Sequence, residues 1–241
     1  MGMSCRIVPA LAKSRSSDAR VCASFWQRRG AALAHGPGEG HAGPQMTHSD
    51  TQATPQGTDL TGRMLIAMPG MGDPRFAHAV VYLCAHSDEG AMGLIVNKPS
   101  GDVSMEMLLD QLQIESEIDL AGQQVHFGGP VEMGRGFVLH SPEYESVMTT
   151  LEVDARFHMT ATLDVLEDIA RGQGPAQRLM MLGYAGWGPG QLEAELAENG
   201  WLVCDATPDL VFRTEDDRKW EAALATLGVS AVALSSEGGR A

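Results

Sequence analysis

The sequence predicts a single α/β (α+β) domain over residues 59–241, behind a disordered N-terminal extension at residues 1–58. Three observations predict it. After Asp59, short apolar runs broken by Gly, Pro, Asp and His are interleaved with four helical patterns. No repeat or linker divides that region, and 241 residues that are 44% hydrophobic can bury a core without disulfides or metals. The first 58 residues, in contrast, are rich in Ala, Ser, Gly, Pro and Arg. They carry too little apolar surface to offset the entropy of ordering them.

The elements follow in order. Met64–Met68, Ala79–Ala85, Met92–Val96, Gly136–His140 and Leu179–Leu182 are short, continuous apolar runs, which read as buried strands. Val147, Thr149, Leu151 and Val153 alternate with polar residues, the pattern of a strand with one wet face. A first helix has Asp102 or Ser104 as its cap and a face of Met105, Leu108, Leu109 and Leu112. A second carries Leu163, Leu166, Ile169 and Ala170 and stops at Gly172. A third starts with Pro189 in its first turn and ends at Asn199–Gly200. The fourth has Thr214 as cap, Asp217 three residues on, a face of Trp220, Leu224 and Leu227, and Gly228 as its stop.

Charge narrows the function classes. The chain holds 17 Lys+Arg and 31 Asp+Glu, a net charge of −14. Residues 1–58 carry about +3, so the domain carries about −17. Nucleic acids and anionic membranes repel such a surface, which argues against direct nucleic-acid binding. No apolar run is long enough for a transmembrane helix. Cys84 and Cys204 lie in apolar surroundings and no CxxC pair occurs, so both read as buried free thiols in a reducing cytoplasm. The extension is Arg- and Ser-rich, like a transit peptide, and it lacks the apolar core of a secretory signal. The favoured reading starts translation at Met46, leaving only a short polar tail before the domain.

No motif amounts to a catalytic set. Met68–Phe76 is a glycine-rich loop whose backbone N–H groups and Arg75 can face an anion, but no Gly-Lys-Ser/Thr follows. Asp73 before Pro74 is suited to holding the turn through its side chain. His78, His86, His126, His140 and His158 have no HExxH spacing, and no GxSxG elbow occurs, so no metal site and no cofactor are expected. Gly183–Gly190 reads as a loop of small residues around Trp187, either approaching a ligand or packing strand on helix. Gln191, Glu193 and Glu195 open the next helix; a carboxylate pair there could do acid–base work, but acids in a helix's first turns commonly just complement its dipole.

Several blocks resemble the AlgH/YqgE family of bacterial proteins. They are Gly62-Arg-Met-Leu-Ile-Ala-Met-Pro69 with Asp73 and Phe76, Gly90-Ala-Met-Gly-Leu-Ile-Val-Asn-Lys-Pro99, Gly128-Gly-Pro-Val131 with Gly136-Phe-Val-Leu-His140, and Leu182-Gly-Tyr-Ala-Gly-Trp187. Gly190-Gln-Leu-Glu193, Glu195, Asn199-Gly-Trp-Leu202, Lys219-Trp220, Leu227-Gly228 and a closing Gly-Arg-Ala continue the likeness, from Leu60 to Ala241. The resemblance implies a branched, partly barrel-like sheet flanked by about four helices. It implies no settled activity, cofactor or catalytic residue, though the label "putative transcriptional regulator" travels with the family.

The leading expectation is a soluble, non-enzymatic binding or indirect regulatory protein with a protein or small-molecule partner. Its candidate binding residues are Asp73, Arg75, His86, Asn97, Lys98, Gly128, Gly129 and Trp187, on loops a rigid scaffold would hold. The alternative is a hydrolase or transferase with a site assembled from His86, His126, His140 and Asp73. Direct transcriptional regulation ranks third.

Overall fold

The structure, a computed structural model, describes residues 59–234. The expectations for residues 1–58, including a start at Met46, and the closing Gly-Arg-Ala fall outside these residues.

Ten strands form one curled sheet: β1 (Arg63–Ala67), β2 (Val80–Ser87), β3 (Gly90–Ile95), β4 (Pro99–Ser104), β5 (Gln124–Phe127), β6 (Val131–His140), β7 (Thr150–Asp154), β8 (Phe157–Thr160), β9 (Arg178–Trp187) and β10 (Trp201–Asp205). Their order is β10-β1-β2-β3-β9-β6-β8-β7, with antiparallel neighbours throughout. β9 is the branch point. Along one edge it pairs with β6; along the other, Met180–Leu182 pairs in parallel with β5 and Ala185–Trp187 pairs with β3. β4 then hangs from β5. The expected branched, half-barrel α/β architecture is therefore present. Four α-helices flank it among the described residues: α1 (Met105–Leu112), α2 (Asp164–Ala170), α3 (Gln191–Ala197) and α4 (Asp216–Thr226).

The continuous apolar runs arise because the central strands are covered on both faces. In β1, Met64 and Ile66 face the hollow of the sheet while Leu65 and Ala67 face outward, and all four are fully buried. β2 repeats this with Val80, Tyr82 and Cys84 against Val81 and Leu83. The hollow is filled by Phe137, Phe157, Met181 and Tyr184 and closed by Trp220, Ala223 and Leu224 of α4. Tyr82 and Phe157 pack there as a tilted pair with ring centroids 4.8 Å apart. Outside, Trp187, Trp201 and Leu192 of α3 cover β1–β3. α1 and α2 pack a third cluster onto Val125, Val138 and Met180. Each fully buried large aliphatic side chain contributes roughly 1.5–3 kcal/mol to this assembly.

Caps and stops follow the sequence in part. Ser104 caps α1 by accepting from Met107 N, and Gly228, at φ +70°, follows the end of α4. The structure corrects other expectations. Pro189 stands before the cap of α3, which is Gly190 at φ +71°. Thr214 does not cap α4; its hydroxyl donates to Asp209 O and closes the preceding turn, Asp209–Arg213. The wet-faced strand begins only at Thr150, because the Ser146 hydroxyl gathers the N–H groups of Met148 and Thr149 into a turn, leaving Val147 89% exposed. Gly183–Trp187 is strand rather than loop, the second half of β9.

His140, fully buried at the end of β6, has a chain of partners. Its Nδ1–H donates to Ser141 O at 2.9 Å, and its Nε2 accepts from the Thr160 hydroxyl at 2.9 Å. Burial holds its pKa below the ordinary value of 6.5, so the unfolded chain protonates first as pH falls. Its contribution to stability is complete above pH 6.5 and declines as pH falls toward the folded pKa. Urea titrations of wild type between pH 7 and 5 are expected to show falling stability, with a shallower slope in His140→Gln. Equal slopes would remove His140 as the cause.

Candidate functional site

A cleft of about 650 Å³ opens between the Met68–Phe76 loop, the end of β9, α3 and the start of β10. The loop is held by its own chemistry. Asp73 Oδ1 accepts from Arg75 N at 2.9 Å, capping the short turn Pro74–Phe76. Both carboxylate oxygens also take the Arg75 side chain, Nε at 3.0 Å and Nη2 at 2.6 Å. These bonds hold the Asp73 carboxyl below its ordinary pKa and push the Arg75 guanidinium up. Gly70 and Gly72 have open space where a side chain would stand.

The floor is aromatic and rigid. Trp187 and Trp201 meet edge to face with centroids 5.9 Å apart, and Phe76 meets Trp201 at 5.7 Å. Both indole N–H groups donate to one oxygen, Glu195 Oε2, at 2.9 and 2.8 Å. The other oxygen accepts from Gln191 Nε2 at 2.9 Å, while Gln191 Oε1 accepts from Gly188 N. One carboxylate on the first turns of α3 thus locks two tryptophans from different strands. Glu195→Leu is expected to cost about 1–3 kcal/mol for each indole N–H it strands, read in urea denaturation. Glu195→Gln, which keeps an acceptor, should cost less; equal losses would contradict this role.

The expected binding residues divide into two groups. Asp73, Arg75 and Trp187 line the cleft together, with Pro130 and Gly186 beside them. Lys98 is coupled to them through the field of Asp73, which opposes the lowering of the lysine pKa by burial. Asn97 faces elsewhere: its Oδ1 accepts from Val80 N and its Nδ2 donates to His78 O, pinning His78 at φ +54°. Gly128 and Gly129 lie where the chain leaving β5 crosses β9, and a Cβ on either would enter the backbone of Gly183, Tyr184 or Ala185. His86 is tied down at both nitrogens. Nδ1 accepts from Leu60 N at 3.2 Å, so Nε2 carries the proton and donates to Glu193 Oε1 at 2.8 Å.

The histidines of the enzyme alternative occupy separate hydrogen-bonded units. His86 belongs to Glu193, His140 to Ser141 and Thr160, and His126 Nε2 to Asp216 Oδ2 at 3.0 Å; no hydrogen bond joins any two of them or Asp73. Burial works to raise the Asp216 carboxyl, but the hydrogen bonds from His126 and Lys219 outweigh it and leave the pKa below its ordinary value. Lys219, 1% exposed, also donates to Val96 O at 2.8 Å. Among the described residues, no group of three or more His, Cys, Asp or Glu could hold a metal ion. Trp201 escaped the sequence reading as a site residue, and Glu195 entered it only as one of the acids opening a helix. The sequence signal for the clamp is the i, i+4 pair Gln191/Glu195 on one helix face.

Residues 64–232 match the AlgH-like family model. The chain belongs to this family. The UPF0301 protein of Ruegeria pomeroyi is 60% identical over 184 residues, covering 76% of this chain and all of that one. A UPF0301 protein of Jannaschia sp. is 54% identical over 199 residues, covering 82% of this chain and 98% of its own. Among solved structures, the AlgH protein of Pseudomonas aeruginosa matches with a TM-score of 0.63 and 43% identity, over 81% of this chain and all of its own. Protein DIP2367 of Corynebacterium diphtheriae, at 21% identity and a TM-score of 0.55 over 71% of this chain and 89% of that one, shares the fold. No helix among the described residues of this AlgH-like chain is long and apolar enough to cross a membrane.

Proposed function

We propose that this AlgH-like domain is a soluble, cytoplasmic, non-enzymatic protein that binds a small molecule in the cleft between the Met68–Phe76 loop and α3. Any regulatory effect then passes through that ligand or a protein partner. The observation that carries the reading is the Glu195 clamp. A carboxylate that fixes two indoles edge to face builds a preformed apolar floor, and polar groups of Asp73, Arg75 and Gln191 stand on its rim. A concave site of this size, part aromatic and part polar, suits a small ligand. Net charge supports the indirect route, since −14 overall leaves little to neutralise phosphates.

The domain boundary at residue 59 belongs to the same proposal. Binding is expected to quench or shift tryptophan fluorescence, because Trp187 and Trp201 form the floor. Fractionated small-molecule extract should shift it in wild type and not in a folded Arg75→Ala, Trp187→Phe double variant. An identical response from both proteins would move the ligand away from this cleft.

A further inference from the structure

The charges around the tryptophan-floored cleft specify the sign of what it takes. Three carboxylates line it, those of Asp73, Glu195 and Glu198, against one cation, Arg75; counted formally, the lining holds two more negative charges than positive ones. Arg75 is not free to receive an anion. Its Nε and Nη2 already donate to both oxygens of Asp73, so that pair is neutral as a unit. Glu195 has no such counterpart, because its oxygens accept only from the two indole N–H groups and the Gln191 amide. Glu198 stands exposed at the end of α3, and its side chain forms no hydrogen bond or ion pair among the described residues.

The wall between these charges is apolar and polarisable. Met68, Met71 and Phe76 of the loop line the cleft together with Trp187 and Trp201. Aromatic rings attract an ammonium through their quadrupole, and thioethers pack softly against an irregular apolar body. A metal ion needs a different lining: among the described residues, no group of three or more His, Cys, Asp or Glu could hold one. The net charge of −14 adds a field of the same sign, which a concave site focuses.

We propose that the small molecule inferred above for this cleft, the reading on which this step rests, is an organic ammonium ion carried on an apolar body. Its charge lies against Glu198 and within the field of Glu195, and its body lies along the methionine and aromatic wall.

The test titrates the full chain with three probes of one body and three charges: 2-phenylethylammonium, 2-phenylethanol and phenylacetate. The indole N–H resonances of Trp187 and Trp201 are followed, with Trp220, bonded to Ala67 O, as the reference. The expected result is saturable movement of Trp187 and Trp201 by the ammonium, about tenfold tighter than by the alcohol, and none by phenylacetate. Raising salt from about 20 mM to about 0.5 M should weaken the ammonium and spare the alcohol. Glu198→Gln, at an exposed position, should weaken the ammonium about two- to fivefold and leave the alcohol unchanged. Equal affinity for the alcohol, binding of phenylacetate, or an unchanged preference in Glu198→Gln would overturn the ammonium class and leave the cleft standing. Indoles that respond to bacterial extract but to none of the probes would overturn it too. Indoles silent to probes and extract alike would remove the cleft itself as the site.

Discussion

Gly129→Ala is expected to yield no folded protein at 37 °C. Gly129 sits at φ +153°, where the chain leaving β5 runs directly against Tyr184 and Ala185 of β9. An added Cβ would have to occupy the volume of those backbone atoms, and β9 cannot retreat because neighbours pair along both its edges. Backbone against backbone offers no flexible side chain to absorb the clash, so the loss belongs with the exceptional ones, above about 4–5 kcal/mol. Gly183→Ala, at φ +73° against the backbone of Gly129 and Val131, should behave alike. Gly134→Ala is the control, since nothing stands within 4 Å of its would-be Cβ. Soluble yield and an amide NMR spectrum give the answer. A Gly129→Ala protein melting within a few degrees of wild type would refute the crossing as the branch of this sheet.

Asp216→Ala is the second large effect. It leaves the Lys219 ammonium, 1% exposed, with Val96 O as its remaining acceptor, and it frees the Nε2–H of buried His126. An uncompensated buried charge costs about 3–5 kcal/mol. Lys219→Met should cost less, because Asp216 keeps His126 and an apolar chain of similar length fills the space. The double variant should recover much of the single loss. The folded Asp216 pKa lies below its ordinary 3.8, so its stabilisation is present above that value and disappears as pH falls through the folded pKa. Acid unfolding of Asp216→Ala should therefore lose that dependence. An Asp216→Ala loss no larger than that of Lys219→Met would contradict the arrangement.

Much of the fold was legible because burial on both faces writes itself as continuous apolar runs. β1, β2 and β3 are plain in the sequence for that reason, and α1 because Ser104 and its apolar face agree. β4 and β5 were not legible: Pro99–Ser104 is mostly polar and half-exposed, and Gln124–Phe127 is only four residues long. Gly183–Trp187 looked like a loop because its glycines serve a crossing of chains, which no local pattern encodes. The cleft was half legible. Asp73 and Arg75 signal their turn through adjacent residues, and Trp187 stands out by size. The Glu195 clamp joins residues from β9, α3 and β10, so only the fold brings it into being.

The most direct test of the proposed function follows the indole N–H resonances of Trp187, Trp201 and Trp220 while a bacterial extract of molecules below about 1 kDa is added. Trp220 is the internal reference, its N–H committed to Ala67 O in the core. A ligand in the cleft shifts Trp187 and Trp201 together and leaves Trp220 in place, and Glu195→Gln alters the pattern. Shifts confined to other residues, or none at saturating extract, would contradict the cleft as the binding site.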